Sequence, residues 1–510
     1  MFKLVKRETK KRENPKDFNR TTGKSKPMLS KSPRGKRTEI KPFGFLLLLI
    51  FSFLLMANPV YAQEGEGNPV YIVQSGDTLW DIASRFNVDL DELIALNELD
   101  DNNLIVGQEI IIPGLEGVSG VLRTETVPYG DNLRSLKRRT QTPQDVLRRL
   151  NRLLSPTELY AGVKLIIPVD EKASSLSARA SLKEGETLLE EAIREDSDIW
   201  TLTEINTLSN TSSALPGEVL YAPARNKDEA SSINGLPPAF LSVQVESLPF
   251  YQGGTAEINV EVADNVSLSG SLFSNKEYQL KFFPYQTNHF VALQGIHAMT
   301  EPGAYPLKLE ATYPDGRVES YEQMVLINSG GYNDEILLVP PETLDPVTRE
   351  KEESELLAVV SQASPEQLWD GVFTNPSVYE DCFTSYYGNR RSYRANDGST
   401  DKNYEGFHSG LDFCGGTGLE IDASANGVVV FAQNTIIRGN ATIIDHGRGV
   451  FTGYWHQSET YVEVGDEVVE GEIIGLVGAT GRVTGAHLHW EVWVNGAQVR
   501  PMEWLEQSFP

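Results

Sequence analysis

The spacing of hydrophobic positions changes several times along the 510 residues, and each change predicts a different element. Gly44 to Ala57 is an uncharged, largely apolar run behind a polar leader. From residue 70 the pattern becomes modular. Tyr71-Ile-Val73 reads as a short strand, and Asp77 or Thr78 can cap a helix carrying Leu79, Ile82, Ala83 and Phe86 at helical spacing. Asp89 or Asp91 opens a second helix through Leu93, Ile94 and Leu96, and Ile110-Ile-Ile112 is a returning strand. This β-α-α-β unit recurs. Gly76-Asp-Thr-Leu79, Gly130-Asp-Asn-Leu133 and Gly185-Glu-Thr-Leu188 lie 54 and 55 residues apart. Asn97, Asn151 and Asn206 keep the register, as do Gly107, Gly162 and Gly217, and Pro113, Pro168 and Pro223. Three small modules are therefore expected over 70–114, 124–169 and 181–224.

After a polar, turn-rich linker at 225–238 the period shortens to two. Val243 and Val245, Ile258, Val260 and Val262, Tyr278, Leu280 and Phe282, Leu307 and Leu309, and Val325 to Ile327 alternate between turn signals. About seven such strands over 240–330 predict an immunoglobulin-like β-sandwich. His289 and His297 fall there without a ligand-spaced partner and read as structural. Residues 331–371 form a connector, helical from 346, and 372–510 is strand-rich and punctuated by glycine. The fold class is multidomain: small β-α-α-β modules, a β-sandwich and a C-terminal, mainly antiparallel-β domain.

Charge refines this picture. Residues 1–42 carry fifteen Lys/Arg against four acids, residues 43–62 carry no charge, and the remainder holds 30 bases against 67 acids. So acidic a body excludes nucleic-acid binding, which needs a cation at each phosphate contact. The basic leader and apolar run of residues 1–62 suit an export signal, with Val60-Tyr61-Ala62 supplying the small residues before a cut at Gln63. The alternative is an uncleaved anchor, which would be the only membrane contact. Either way the chain beyond residue 62 is expected outside the cytoplasm, secreted or wall-associated. No cysteine near this segment could carry a lipid. Cys382 and Cys414 are the only two cysteines, and an oxidising compartment allows them to form a disulfide or to remain as buried thiols.

The candidate chemistry lies at the C-terminal end. Five of the seven histidines, His408, His446, His456, His487 and His489, fall within 82 residues. His487-Leu-His-Trp-Glu-Val-Trp-Val494 alternates as a strand, which puts His487, His489 and Glu491 on one face. His408 and Asp412 share one face if their segment is extended. Two imidazoles and a carboxylate suit zinc with one position left open.

The first module, YIVQSGDTLWDIASRFNVDLDELIALN…LIVGQEIIIP, resembles the LysM family, which binds N-acetylglucosamine-containing glycans such as peptidoglycan. The second copy departs at Val127-Pro128-Tyr129 and is basic on its helices, and the third keeps only the main landmarks. The resemblance implies sugar contact around the Gly76–Leu79 loop and the loop before Gly107. Residues from about 380 to 503 resemble the lysostaphin/LytM-type zinc endopeptidases, through FTSYYGNRR, FHSGLDF, YWHQ and VGATGRVTGAHLHWEV. That resemblance implies Zn2+ held by His408, Asp412 and His489, with His456 and His487 as unligated catalytic histidines. His487 is expected as general base and His456 as oxyanion or proton-transfer partner, roles that could be exchanged. Glu491 could orient one imidazole, Asn440 and Tyr454 could line the groove, and His446 reads as structural. Gly418, Gln457 and Ala486 depart from the family's usual residues away from these positions.

Together these features predict a zinc endopeptidase acting on peptide cross-links of peptidoglycan and held to its polymer by LysM modules. The alternative is a non-catalytic wall-binding regulator of another hydrolase. Glycine bridges, D-alanyl–diaminopimelate cross-links and stem peptides all suit the mechanism.

Overall fold

A computed structural model describes residues 68–510 except 100–102, 116, 154–158, 170–175, 183–184, 216–218, 224–235, 274–278 and 380. The expected signal or anchor over 1–62, most of the linker and Tyr278 lie outside the described residues.

Each repeat folds as strand, two helices and strand. In the first, Val70–Ile72 leads to the helices Leu79–Phe86 and Leu90–Leu96, and Glu109–Ile111 returns. The Thr78 side chain accepts the Asp81 N–H and the Asp89 side chain accepts those of Asp91 and Glu92, so both helices start on a capped turn. Asn87, at φ 56°, stops the first helix in the left-handed region that asparagine tolerates. The first two repeats share one four-stranded sheet, because Val70–Ile72 runs parallel to Val121–Thr126. The third closes a separate two-stranded sheet from Leu176–Ser181 and Val219–Pro223.

The next module packs two four-stranded sheets face to face. Phe250–Tyr251, Ser267–Leu272, Gly303–Thr312 and Val318–Asn328 form one sheet, and Phe240–Val245, Thr255–Val262, Phe283–Gln286 and His289–Gly295 the other. Ile258, Val260, Leu307, Leu309 and Val325 are buried between them. The departure at Val127-Pro128-Tyr129 is an interface. The Tyr129 hydroxyl donates towards the Leu307 and Tyr321 carbonyls at 3.1 and 3.0 Å, and Gly130 N–H donates to Gln323 Oε1 at 2.7 Å. Ala161 exchanges backbone bonds with Met324 and Leu326. The two loops of the second repeat that correspond to the expected sugar contacts are thereby covered, whereas Ile105 and Val106 of the first repeat are exposed.

The C-terminal domain is built on an eight-stranded sheet. Its path runs Phe383–Ser385, Leu411–Cys414, His487–Val494, Val450–Gln457, Gly439–Gly447, Gly427–Thr435 and Glu467–Val468, with Ala497–Val499 also paired to His487–Val494. Val291 and Leu293 of the sandwich join its core, beside Val499 and Trp504. The connector does more than tether. Its helix Pro346–Val360 ends before 371, and Asp334–Val339 is a strand paired in parallel with Arg390–Ala395 along all six residues. Glu352, buried on that helix, accepts the backbone N–H groups of Ile437 and Arg438 and pairs with the Arg438 guanidinium at 3.2 Å. A segment expected as a spacer therefore forms part of the wall beside the site.

Candidate metal centre

Strand alternation turns His487, His489 and Glu491 towards a cleft and sends Leu488, Trp490 and Val492 into the core. The neighbouring strand pairs antiparallel, with Asp412 directly across from His489. His408 reaches the same point by a bend, which corrects the expectation of an extended segment. Four extended residues would separate the two side chains by about 13 Å, yet His408 Nε2 lies 3.0 Å from Asp412 Oδ1. Gly410 allows the bend, since a Cβ there would sit 2.3 Å from the Trp490 carbonyl oxygen. The Cys382–Cys414 disulfide, with Cα atoms 5.4 Å apart, fastens the Asp412 strand to the sheet edge.

Three donor atoms converge. His489 Nδ1 is 2.7 Å from Asp412 Oδ1 and 3.0 Å from His408 Nε2. The remaining nitrogen of each ring is committed elsewhere. His408 Nδ1 donates to the Tyr386 carbonyl at 2.8 Å, and His489 Nε2 donates to Glu491 Oε1 at 3.1 Å. The facing nitrogens are then lone pairs, crowded against a carboxylate oxygen. That donor set suits a divalent cation, and each imidazole is oriented by a protein acceptor. Glu491 is buried, and Trp493 Nε1 and Ser409 Oγ also donate to it.

His456 and His487 flank the cluster, with ring centroids 5.0 Å apart. Their Nδ1 atoms donate to the Thr480 and Gly485 carbonyls, each at 2.8 Å, leaving both Nε2 atoms as acceptors. His487 Nε2 is 3.6 Å from Asp412 Oδ1. Burial, with His489 and His487 nearby, holds His456 well below the usual imidazole range, so it is neutral. Burial also lowers His408. For Asp412 burial works upward, but the His408 and His489 imidazoles overcome it and hold the carboxyl well below its ordinary range. Glu491 follows the same logic, brought down to about 2 against burial by His489 and Arg438.

Two groove expectations need correction. Tyr454 is fully buried and faces Ser424 and Thr452, with its hydroxyl 3.1 Å from Ser424 Oγ. Simple alternation would put His456 beside it. A bulge opposite Asn440–Thr442 and a left-handed φ of 65° at His456 break that alternation and turn His456 into the cleft with Trp455. Asn440 spends its side chain on the Gln457 carbonyl at 2.9 Å and on Asn434, outside the cleft lining. His446 is buried between the Asn426 carbonyl and Thr452 Oγ1, and burial lowers its pKa to about 4.

Sequence reasoning missed a set of arginines. Arg391, Arg438 and Arg482 line the cleft, whose volume is about 120 Å³, together with Leu337 and Val339 of the connector strand. Arg391 lies 3.5 Å from Asp412 Oδ2 and 3.2 Å from Glu335 of that strand. Arg391 stood inside a quoted motif, but no spacing rule links it to Asp412 or to Glu335.

The comparisons agree with this geometry. The model of peptidase family M23 matches residues 406–501, and the LysM domain model matches 71–113 and 126–168. The peptidoglycan DD-endopeptidase ShyA of Vibrio cholerae is 44% identical over 96 residues, 19% of this chain and 22% of that protein. The DD-carboxypeptidase/endopeptidase Mpg of Neisseria meningitidis is 43% identical over 95 residues, again 19% and 22%. The solved catalytic domain of lysostaphin from Staphylococcus simulans is 34% identical, covering 20% of this chain and 81% of that one at a TM-score of 0.20. The chain thus spans about a fifth of the length of the curated relatives it matches. It carries a peptidase family M23 domain behind two LysM domains.

Proposed function

We propose that the protein is a zinc-dependent endopeptidase that hydrolyses peptide cross-links of peptidoglycan outside the cytoplasm, held to the wall by LysM modules. The observation that carries this reading is the convergence of His408 Nε2, His489 Nδ1 and Asp412 Oδ1 beside two further imidazoles whose Nε2 atoms can accept protons. When bound, zinc supplies a Lewis acid that polarises the scissile carbonyl and acidifies water. His487 Nε2 takes the proton from the attacking water and returns it to the leaving amine. His456, whose Nδ1 is held by the Thr480 carbonyl, presents Nε2 as the second proton-transfer group of the cleft. Glu491 keeps His489 in the tautomer that presents Nδ1. The two-sheet module over 240–328 is read as immunoglobulin-like. Glycan contact is assigned to the first repeat, through Gly76–Leu79 and Ile105-Val106, because the second spends its matching loops on the sandwich.

The test is release of peptide fragments from isolated peptidoglycan by the purified protein, read by mass spectrometry. Release that a chelator stops and zinc restores is expected. A protein that binds the wall and one zinc ion yet releases nothing would be a regulator instead.

A further inference from the structure

The arginines of the cleft differ in what they already hold. Arg391 is engaged with Asp412 and Glu335, and Arg438 with Glu352. Arg482, only five residues before His487, has neutral partners: the Tyr404 hydroxyl at 2.8 Å and the Thr343 carbonyl at 3.4 Å. Its guanidinium carbon lies 4.4 Å from the centroid of Tyr393, which stacks on Tyr404 at 4.7 Å, and the Arg349 guanidinium carbon lies 4.1 Å from the Tyr404 centroid. Two cations thus rest on the Tyr393–Tyr404 pair, and of the two it is Arg482 that lines the cleft beside the metal cluster.

We propose that Arg482 receives a free carboxylate of the substrate, so that cross-links bearing an acidic group near the scissile bond are cut in preference to amidated or oligoglycine ones. This rests on the endopeptidase reading above and names its substrate class. Three physical arguments support it. A guanidinium fork pairs with a carboxylate through two parallel hydrogen bonds, and only one Arg482 nitrogen is taken by the tyrosine hydroxyl and the carbonyl. The stack holds the side chain in place, so little rotamer freedom is lost on binding. The body beyond residue 62 is strongly acidic, so an anionic substrate needs a local cation to enter the cleft.

The experiment uses two cross-linked peptides that differ in one group, a diaminopimelate carboxyl that is free or amidated. The protein should cut the free form with a kcat/KM at least about tenfold higher, mostly through KM, as expected for a charge-assisted pair. In R482Q that ratio should fall to about one, and R482K should restore part of it. R349Q removes the other cation on the tyrosine pair and should keep the ratio. Binding of both peptides to H487A and to H487A/R482Q, by calorimetry, reads the same preference without turnover. Equal handling of the two peptides, a ratio that survives in R482Q, or its collapse in R349Q would each overturn the proposal. Failure to cut either peptide, with binding still selective for the free acid, would refute the endopeptidase reading and leave the role of Arg482 standing.

Discussion

Asn97, Asn151 and Asn206 each sit after the second helix of a repeat and do one job three times. Nδ2 donates to the carbonyl four residues back and to the returning strand, while Oδ1 accepts an N–H from that strand. The amide acts as a missing strand residue and fastens helix to sheet. The five C-terminal histidines share a residue type and no such job. His408 and His489 offer opposite ring nitrogens to one point, His456 and His487 keep Nε2 open, and His446 spends both nitrogens inside the core. Recurrence at a fixed interval therefore reports a shared backbone. Clustering of one residue type reports a shared neighbourhood, and the role of each member depends on which of its atoms is already committed.

The largest expected effect separates two histidines. H489A should lose zinc and at least about a thousandfold of peptidoglycan release, since it removes a donor and leaves Asp412 and Glu491 buried without it. H446A should keep one zinc per chain and most activity while costing about 2–4 kcal/mol of stability from a buried cavity and stranded partners. Zinc loss in H446A, measured by metal analysis alongside urea denaturation, would break the distinction. E491Q sharpens it. The imidazole would lose its charged acceptor, and zinc affinity should drop about 10–100-fold in a chelator competition. An unchanged affinity would leave Glu491 as a buried acid with no bearing on the metal.

Legibility followed the range of the interactions. The three-copy register was readable because its landmarks act within one module, through caps, turns and the asparagine bonds. The His487–Glu491 face was readable because alternation is a local property of a strand. The orientation of His456 was not legible in alternation and was expected only from the resemblance, since a bulge and one left-handed residue reverse its face, and Tyr454 was misplaced for the same reason. The Asp334–Val339 strand pairs in parallel with a partner 56 residues away, beyond any local signal. The change at Val127-Pro128-Tyr129 was visible as a departure, but only the facing sheet shows that it serves an interface.

Within the repeats a smaller effect is expected. Asn206 is fully buried, whereas Asn97 is partly exposed and bonds at the surface. N206A should therefore cost about 2–3 kcal/mol of local stability and N97A nearer 1 kcal/mol, because water can replace part of what Asn97 loses. Hydrogen exchange at Tyr221 N–H and Ile111 N–H, which the two asparagines accept, reads each separately. Equal losses would mean that burial does not grade this repeated bond.

The last expected effect, of similar size, concerns a carboxylate outside both groups. Glu503 accepts the Thr255 N–H at 3.0 Å where the sandwich meets the C-terminal domain, beside the Trp504–Thr255 bond. Burial raises its pKa from the ordinary 4.5 to about 7, against the pull of Arg500. Between those values the folded protein binds more protons than the unfolded chain, so this group favours folding below about pH 4.5 and that contribution is lost as pH rises through about 7. E503Q keeps an acceptor for Thr255 and cannot ionise. It should match the parent near pH 5 and exceed it at pH 8 by about 1–2 kcal/mol, less than the full shift implies because the side chain is partly hydrated. Urea midpoints of both proteins at the two pH values decide it. A gain at pH 5 as large as at pH 8 would show that packing, and not the buried charge, sets the stability of this junction.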